Sequence, residues 1–127
     1  YNSNPMALDQ VLAAIGQAAD GARCVAVLGE MLELGRRSEA LHRQCGRTVV
    51  SVGFEVLLVV GGSSAHTLAD AAIEAGLPAA SVLRCTTSDE AADRIGGLVR
   101  AGDVVLVKGS RGIGTDRIVD RLRSERE

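Results

Sequence analysis

Four short apolar runs, each leading into a turn and then a helix-like segment, constrain this chain more than any other feature. They are "RCVAVLG" at 23–29, "VLLVVGG" at 56–62, "ASVLRC" at 80–85 and "DVVLVK" at 103–108. Their apolar residues are continuous rather than alternating, so both faces of each strand must be buried. A parallel sheet covered by helices meets that demand; an antiparallel sheet with one wet face would show alternation.

The intervening segments keep helical spacing. "NPMALDQVLAAIGQAADG" offers Asn4 as N-cap, Pro5 at the first helical position and Gly21 at the end. Its Leu8, Val11, Leu12 and Ile15 form one stripe. "SEALHRQCGRTVVSVG" carries a stripe at Leu41, Cys45, Val49 and Val52. "SSAHTLADAAIEAG" is bounded by Ser64 as a cap and Gly76 as a stop. "TSDEAADRIGGLVRAG" opens with Thr87 and Glu90 at capping-box spacing and runs through Ile95, Leu98 and Val99 to Gly102. "TDRIVDRLRSERE" supplies a last helix. Right-handed crossovers between parallel strands distribute such helices over both faces. The expected fold is therefore a small doubly wound α/β domain with a mainly parallel sheet.

Composition narrows the function. The 127 residues suit one domain. Tyr1 and Phe54 are the only aromatics, so Val, Leu, Ile and Ala must build the core. A net charge of −2 points to neither a nucleic-acid partner nor an acidic membrane. No apolar run approaches the roughly 20 residues of a membrane span. Cys24, Cys45 and Cys85 match neither a disulfide framework nor a zinc site, and read as small buried hydrophobes in a reducing cytoplasm. The start "YNSNP", with no Met, reads as the interior of a longer protein.

Ligands of open α/β sheets bind beyond the carboxyl ends of the strands. Four loops leave that edge here: "GEMLELGRR", "GGSS", "TTSD" and "KGSRGIG". In the last, Lys108 ends a strand, Arg111 offers a planar fork for an anion, and Gly109, Gly112 and Gly114 permit close backbone approach. The following helix would aim its amino-terminal amides at the same place. The loop suits a negative ligand; the competing reading is a plain strand-to-helix turn with two solvated cations. Glu30 and Glu33 stand after the first strand, able to bind Mg²⁺, orient an amine, or pair with Arg36 and Arg37. His42 lies in the helix after that loop and stays open between a site and a structural role, whereas His66 reads as a helix-surface residue. A Walker-type phosphate loop and a GxGxxG fingerprint are both absent, and no serine or cysteine elbow accompanies either histidine.

Three segments in register, "YNSNP", "VLGEMLELG" with "SEALH", and "VLVKGSRG", resemble the carboxy-terminal domain of the Mur ligases, in the branch that adds a dipeptide. The resemblance spans essentially the whole chain. It implies a Rossmann-like lid in a three-domain cytoplasmic enzyme of peptidoglycan precursor synthesis. ATP and Mg²⁺ would be bound mainly by a central domain that this sequence lacks. The substrates implied are a UDP-muramoyl-tripeptide and D-alanyl-D-alanine. By the same resemblance Tyr1, Asn2 and Asn4 approach the nucleotide, while Lys108, Gly109, Ser110 and Arg111 face the dipeptide and the reaction centre. Lys108 and Arg111 would act by charge stabilisation rather than proton transfer, since both side-chain types are normally protonated at neutral pH. The isolated domain is expected to be inactive. A glutamate-adding ligase of the same superfamily and a stand-alone α/β binding module are the alternatives.

Overall fold

Each apolar run pairs as a strand, and the sheet they form is parallel at every junction. The computed structural model describes residues 5–32 and 34–109. In chain order the elements are α1 (Pro5–Ala18), β1 (Cys24–Gly29), α2 (Ser38–Ser51), β2 (Val56–Val60), α3 (Ser63–Glu74), β3 (Val82–Cys85), α4 (Ser88–Ile95) and β4 (Val104–Lys108). Short 3-10 turns at Gly35–Arg37 and Ala79–Ser81 precede α2 and β3. The strand order is β3-β2-β1-β4. Val25 pairs with Val56 and Val105, and Leu57 with Val82.

This order explains where the helices lie. The chain steps one way from β1 to β3, then returns past β2 and β1 to place β4 on the far side. Crossovers of constant hand put their helices on one face for forward steps and on the other for the return. Accordingly α2 and α3 join α1 over Ala26, Leu28, Leu57 and Val59. Ala91 and Ile95 of α4 cover Val25, Val27, Leu58 and Val60 on the opposite face. The reversal of strand order falls between β1 and β4, the crevice where such sheets bind ligands.

The first face is packed closely. A Cβ on Gly46 of α2 would lie 2.4 Å from the Leu68 carbonyl oxygen of α3, so only glycine permits that approach. Helix α1 runs in the same direction as α2. Gln44 donates to Asp9 at 3.2 Å, and two turns further on Gly16 lies against the Val52 carbonyl. Because α2 starts at the carboxyl edge of the sheet, so does α1.

Several boundaries differ from those expected. Ser64 is not a cap: α3 begins at Ser63 with Gly62 before it, and the Ser64 hydroxyl turns instead to that of Ser38, 3.1 Å away. On α2 the buried stripe is His42, Cys45, Gly46 and Val49, with Leu41 and Val52 only partly covered. Helix α4 stops at Ile95, where Gly96 and Gly97 disfavour helix. Leu98 and Val99 still pack on the core in the turn that follows, and Arg23 captures the Leu98 carbonyl at 2.8 Å. The third strand starts at Val82, after the Ala79–Ser81 turn. The Thr87 hydroxyl caps α4 by accepting from the Glu90 amide at 3.2 Å. The Glu90 carboxylate reaches back to Thr86 at 2.8 Å, one residue earlier than a standard capping box. The expected helix at 115–127 lies outside the described residues. Among the described residues no helix is long and apolar enough to cross a membrane.

Candidate functional site

Strand alternation aims the side chains at the carboxyl edge. Leu106 lies in the core under α1–α3, whereas Val105 and Val107 pack on the α4 side. Lys108 therefore emerges on the α1–α3 face, registered beside Leu28 of β1. Two residues beyond Leu28, on the same parity, comes Glu30.

Glu30 continues the ladder for one more step, its amide donating to the Val60 carbonyl at 3.0 Å. Its carboxylate then crosses to the next turn and accepts from the Gly62 amide at 3.2 Å. Gly61 makes this possible in two ways. It holds φ at +140°, and a Cβ there would sit 2.7 Å from the Glu30 carboxyl carbon. The expected options for Glu30 were Mg²⁺, an amine, or Arg36 and Arg37. Its carboxylate here satisfies an amide at the start of α3, a position where negative charge is favoured. Among the described residues no group of three or more His, Cys, Asp or Glu side chains is placed to hold a metal ion.

Met31, the next residue, is held by His42. The Met31 amide donates to His42 Nε2 at 2.9 Å, and His42 Nδ1 lies 2.7 Å from the Ser38 carbonyl one turn earlier. An N–H facing Nε2 requires Nε2 to be the acceptor, and a carbonyl facing Nδ1 requires Nδ1 to carry the proton. The Ser38 hydroxyl stands 3.3 Å from Nδ1 and 3.1 Å from the Ser64 hydroxyl. A serine hydroxyl therefore lies beside this histidine, but on its own helix and not in a nucleophile elbow. The pair is no nucleophile and base, because both ring nitrogens are committed and the ring is fully buried, with 0 % exposure. His66 is exposed, as expected for a helix-surface residue, and its Nδ1 lies 3.0 Å from Arg84, which also binds Asp70 at 2.7 Å.

The cysteines are free and buried. Burial, with the nearby charge of Asp9 adding to it, pushes the Cys45 thiol up to about 12. Burial also raises Cys24 and Cys85. None of the three is suited to act as a thiolate.

Of the residues singled out in the sequence, the structure thus gathers Lys108, Gly109, Glu30 and His42 at one edge. Tyr1, Asn2, Asn4, Glu33, Ser110 and Arg111 lie outside the described residues. Sequence reasoning missed Gly61 and the two serines. Ser38 had a signal, since it stands four residues before His42 on one helix face. Ser64 had none, because its partner is 26 positions away.

Comparison with known proteins finds likeness over nearly the whole chain. A family model described as "Mur ligase, glutamate ligase domain" matches residues 1–111. The UDP-N-acetylmuramoyl-tripeptide–D-alanyl-D-alanine ligase of Mycobacterium leprae is 33 % identical over 96 % of this chain and 26 % of its own length. The enzyme of the same name from Mycobacterium tuberculosis is 36 % identical over 96 % of this chain and 27 % of its own length. A crystal structure of MurF from Acinetobacter baumannii superposes with a TM-score of 0.74 at 26 % identity, covering 98 % of this chain and 27 % of that one. MurF ligase from Thermotoga maritima, solved in complex with ADP, shares the fold with a TM-score of 0.71 at 23 % identity and the same coverage. The chain spans about a quarter of the length of these relatives.

Proposed function

This chain belongs to the Mur ligase family, and from that premise we propose that it forms the carboxy-terminal lid of a three-domain ligase. That ligase joins D-alanyl-D-alanine to UDP-N-acetylmuramoyl-tripeptide in the cytoplasm, a step in building peptidoglycan. ATP phosphorylates the tripeptide carboxylate, giving an acyl phosphate and ADP. The dipeptide amine attacks the acyl carbon, loses a proton, and expels phosphate as the amide forms.

The observation that carries this reading is the position of Lys108. It closes β4 at the crevice where the strand order reverses, on the same face as Glu30. A cation there complements the carboxylate of an incoming dipeptide and the charge of a phosphorylated acyl group. Gly109 leaves room for the backbone to approach. Ser110 and Arg111 complete the segment, Arg111 with a fork suited to a carboxylate or phosphate. In this reading Tyr1, Asn2 and Asn4 meet the nucleotide, and Glu30, Glu33 and His42 shape the facing loop. ATP and Mg²⁺ belong mainly to the rest of the ligase. The 127 residues alone would not turn over.

The test is phosphate release by the full-length protein supplied with ATP, Mg²⁺ and UDP-muramoyl-tripeptide. Release should require D-alanyl-D-alanine and fall about tenfold or more in Arg111→Ala, a loss of about 1.4 kcal/mol of transition-state stabilisation. Release driven by glutamate instead would move the chain to the glutamate-adding branch. Dependence on the dipeptide without dependence on Arg111 would make the Lys108–Arg111 segment a structural turn.

A further inference from the structure

His42 is the one polar or charged residue among the described residues that is buried as a whole, backbone and side chain together. A buried imidazole needs partners at both nitrogens, and those partners reveal what it does. One is local, the Ser38 carbonyl on its own helix. The other is the backbone amide of Met31, eleven positions earlier in the loop after β1. That loop contains Glu30, whose carboxylate is tied to the Gly62 amide. Two ties thus leave adjacent residues and reach different elements: Met31 to α2, and Glu30 to the start of α3. Ser38 and Ser64 join those two helices beside the ring. Met31 is itself buried, so its amide cannot exchange this acceptor for water without opening the loop.

We propose that His42 is a positioning residue for the carboxyl-edge site. As the Nδ1–H tautomer it fixes the Met31 backbone, and through it the direction in which Glu30 leaves β1 beside Lys108. The ring touches no substrate; it acts by holding the loop that faces the crevice. The part of this proposal that concerns ligation rests on the proposed function, whereas the tie itself does not.

The substitutions separate acceptor from bulk. In His42→Gln the side-chain amide oxygen can take the place of Nε2 and accept from Met31. In His42→Asn the shorter chain keeps a donor near the Ser38 carbonyl but cannot reach Met31. Both are made in the full-length protein and followed by amide hydrogen exchange and by dipeptide-dependent phosphate release. Losing one hydrogen bond at Met31 should speed its exchange about tenfold in His42→Asn, with the β1 amides Val25–Leu28 little changed. His42→Gln should restore Met31 protection. Release, read as kcat/KM for the dipeptide, should fall in His42→Asn and recover in His42→Gln when the two have matched Tm. In the unsubstituted protein a through-hydrogen-bond coupling between the Met31 amide nitrogen and His42 Nε2 should be detected, which tests the tie even if a variant fails to fold.

Met31 exchange unchanged in His42→Asn, or no coupling in the unsubstituted protein, overturns the tie. Faster Met31 exchange with undiminished release overturns the positioning role and leaves a structural histidine. Absence of dipeptide-dependent release from the unsubstituted protein counts against the ligase reading instead, and the loop tie is then decided by exchange and coupling alone.

Discussion

The two ends of the sheet use their polar groups in opposite ways. At the amino edge, where β1 and β4 begin, polar groups pair with each other. Arg23 grips both oxygens of Asp103, at 3.0 and 2.6 Å, and Asp103 also accepts from the Arg100 amide at 2.7 Å. At the carboxyl edge, side chains are spent on backbone amides. Glu30 holds Gly62, His42 holds Met31, and Glu90 holds Thr86. The first arrangement closes a junction between strands. The second fixes loops that would otherwise be free to move, which is what a site built on loops over a rigid scaffold requires.

The most forceful way to sharpen the contrast is Arg23→Ala. It leaves the Asp103 carboxylate, whose side chain is only 4 % exposed, without its cation. We expect a loss of about 2–3 kcal/mol by denaturant unfolding, with kcat/KM of the ligase unchanged in the cold. A loss of activity at full folding would show that the amino edge reaches the site. Next in size is Gly61→Ala, about 1–2 kcal/mol, because alanine is strained at φ +140°. Here stability and activity should fall together, since the new methyl displaces Glu30. Thr87→Ala should cost about 1 kcal/mol through loss of the α4 cap. Smallest is Arg43→Ala, whose exposed pairs with Glu39 and Glu74, at 3.4 and 3.5 Å, belong to neither edge. Its effect should stay within about 0.5 kcal/mol.

The amino edge also has a pH signature. The Arg23 guanidinium, against an opposing effect of burial, holds the Asp103 carboxyl below its ordinary value of 3.8, with the Arg100 amide helping. A depressed folded value means the stabilisation is complete above the unfolded value and is lost as pH falls through the folded one. Unfolding midpoints measured between pH 6 and pH 3 should therefore drop at the acid end. That drop should be shallower in Arg23→Ala.

How much of this was legible in the sequence depended on the range of each signal. The four apolar runs announced strands buried on both faces, and each formed in a wholly parallel sheet, but only the central β1 and β2 are buried throughout, while the edge strands β3 and β4 are largely half-buried. Thr87 was legible as a cap because a cap and its amide lie three residues apart. Helix α4 was overextended because Leu98 and Val99 keep helical spacing even though they pack from a turn. Ser64 was misread as a cap because Gly62 already occupies that position and the serine faces α2. The direction of α1, which brings its start to the carboxyl edge, depended on contacts with α2 that no local pattern encodes.

The sequence by itself determined the order of the described elements, the doubly wound class, and the family through its segments in register. These follow from period, run length and spacing, all properties of neighbours along the chain. Only the tertiary structure decided that Glu30 grips Gly62 and that His42 is a buried acceptor for Met31. Those partners lie 32 and eleven positions away. A buried polar group takes whichever backbone group packing brings within about 3 Å, and that choice exists only once helices and strands have met.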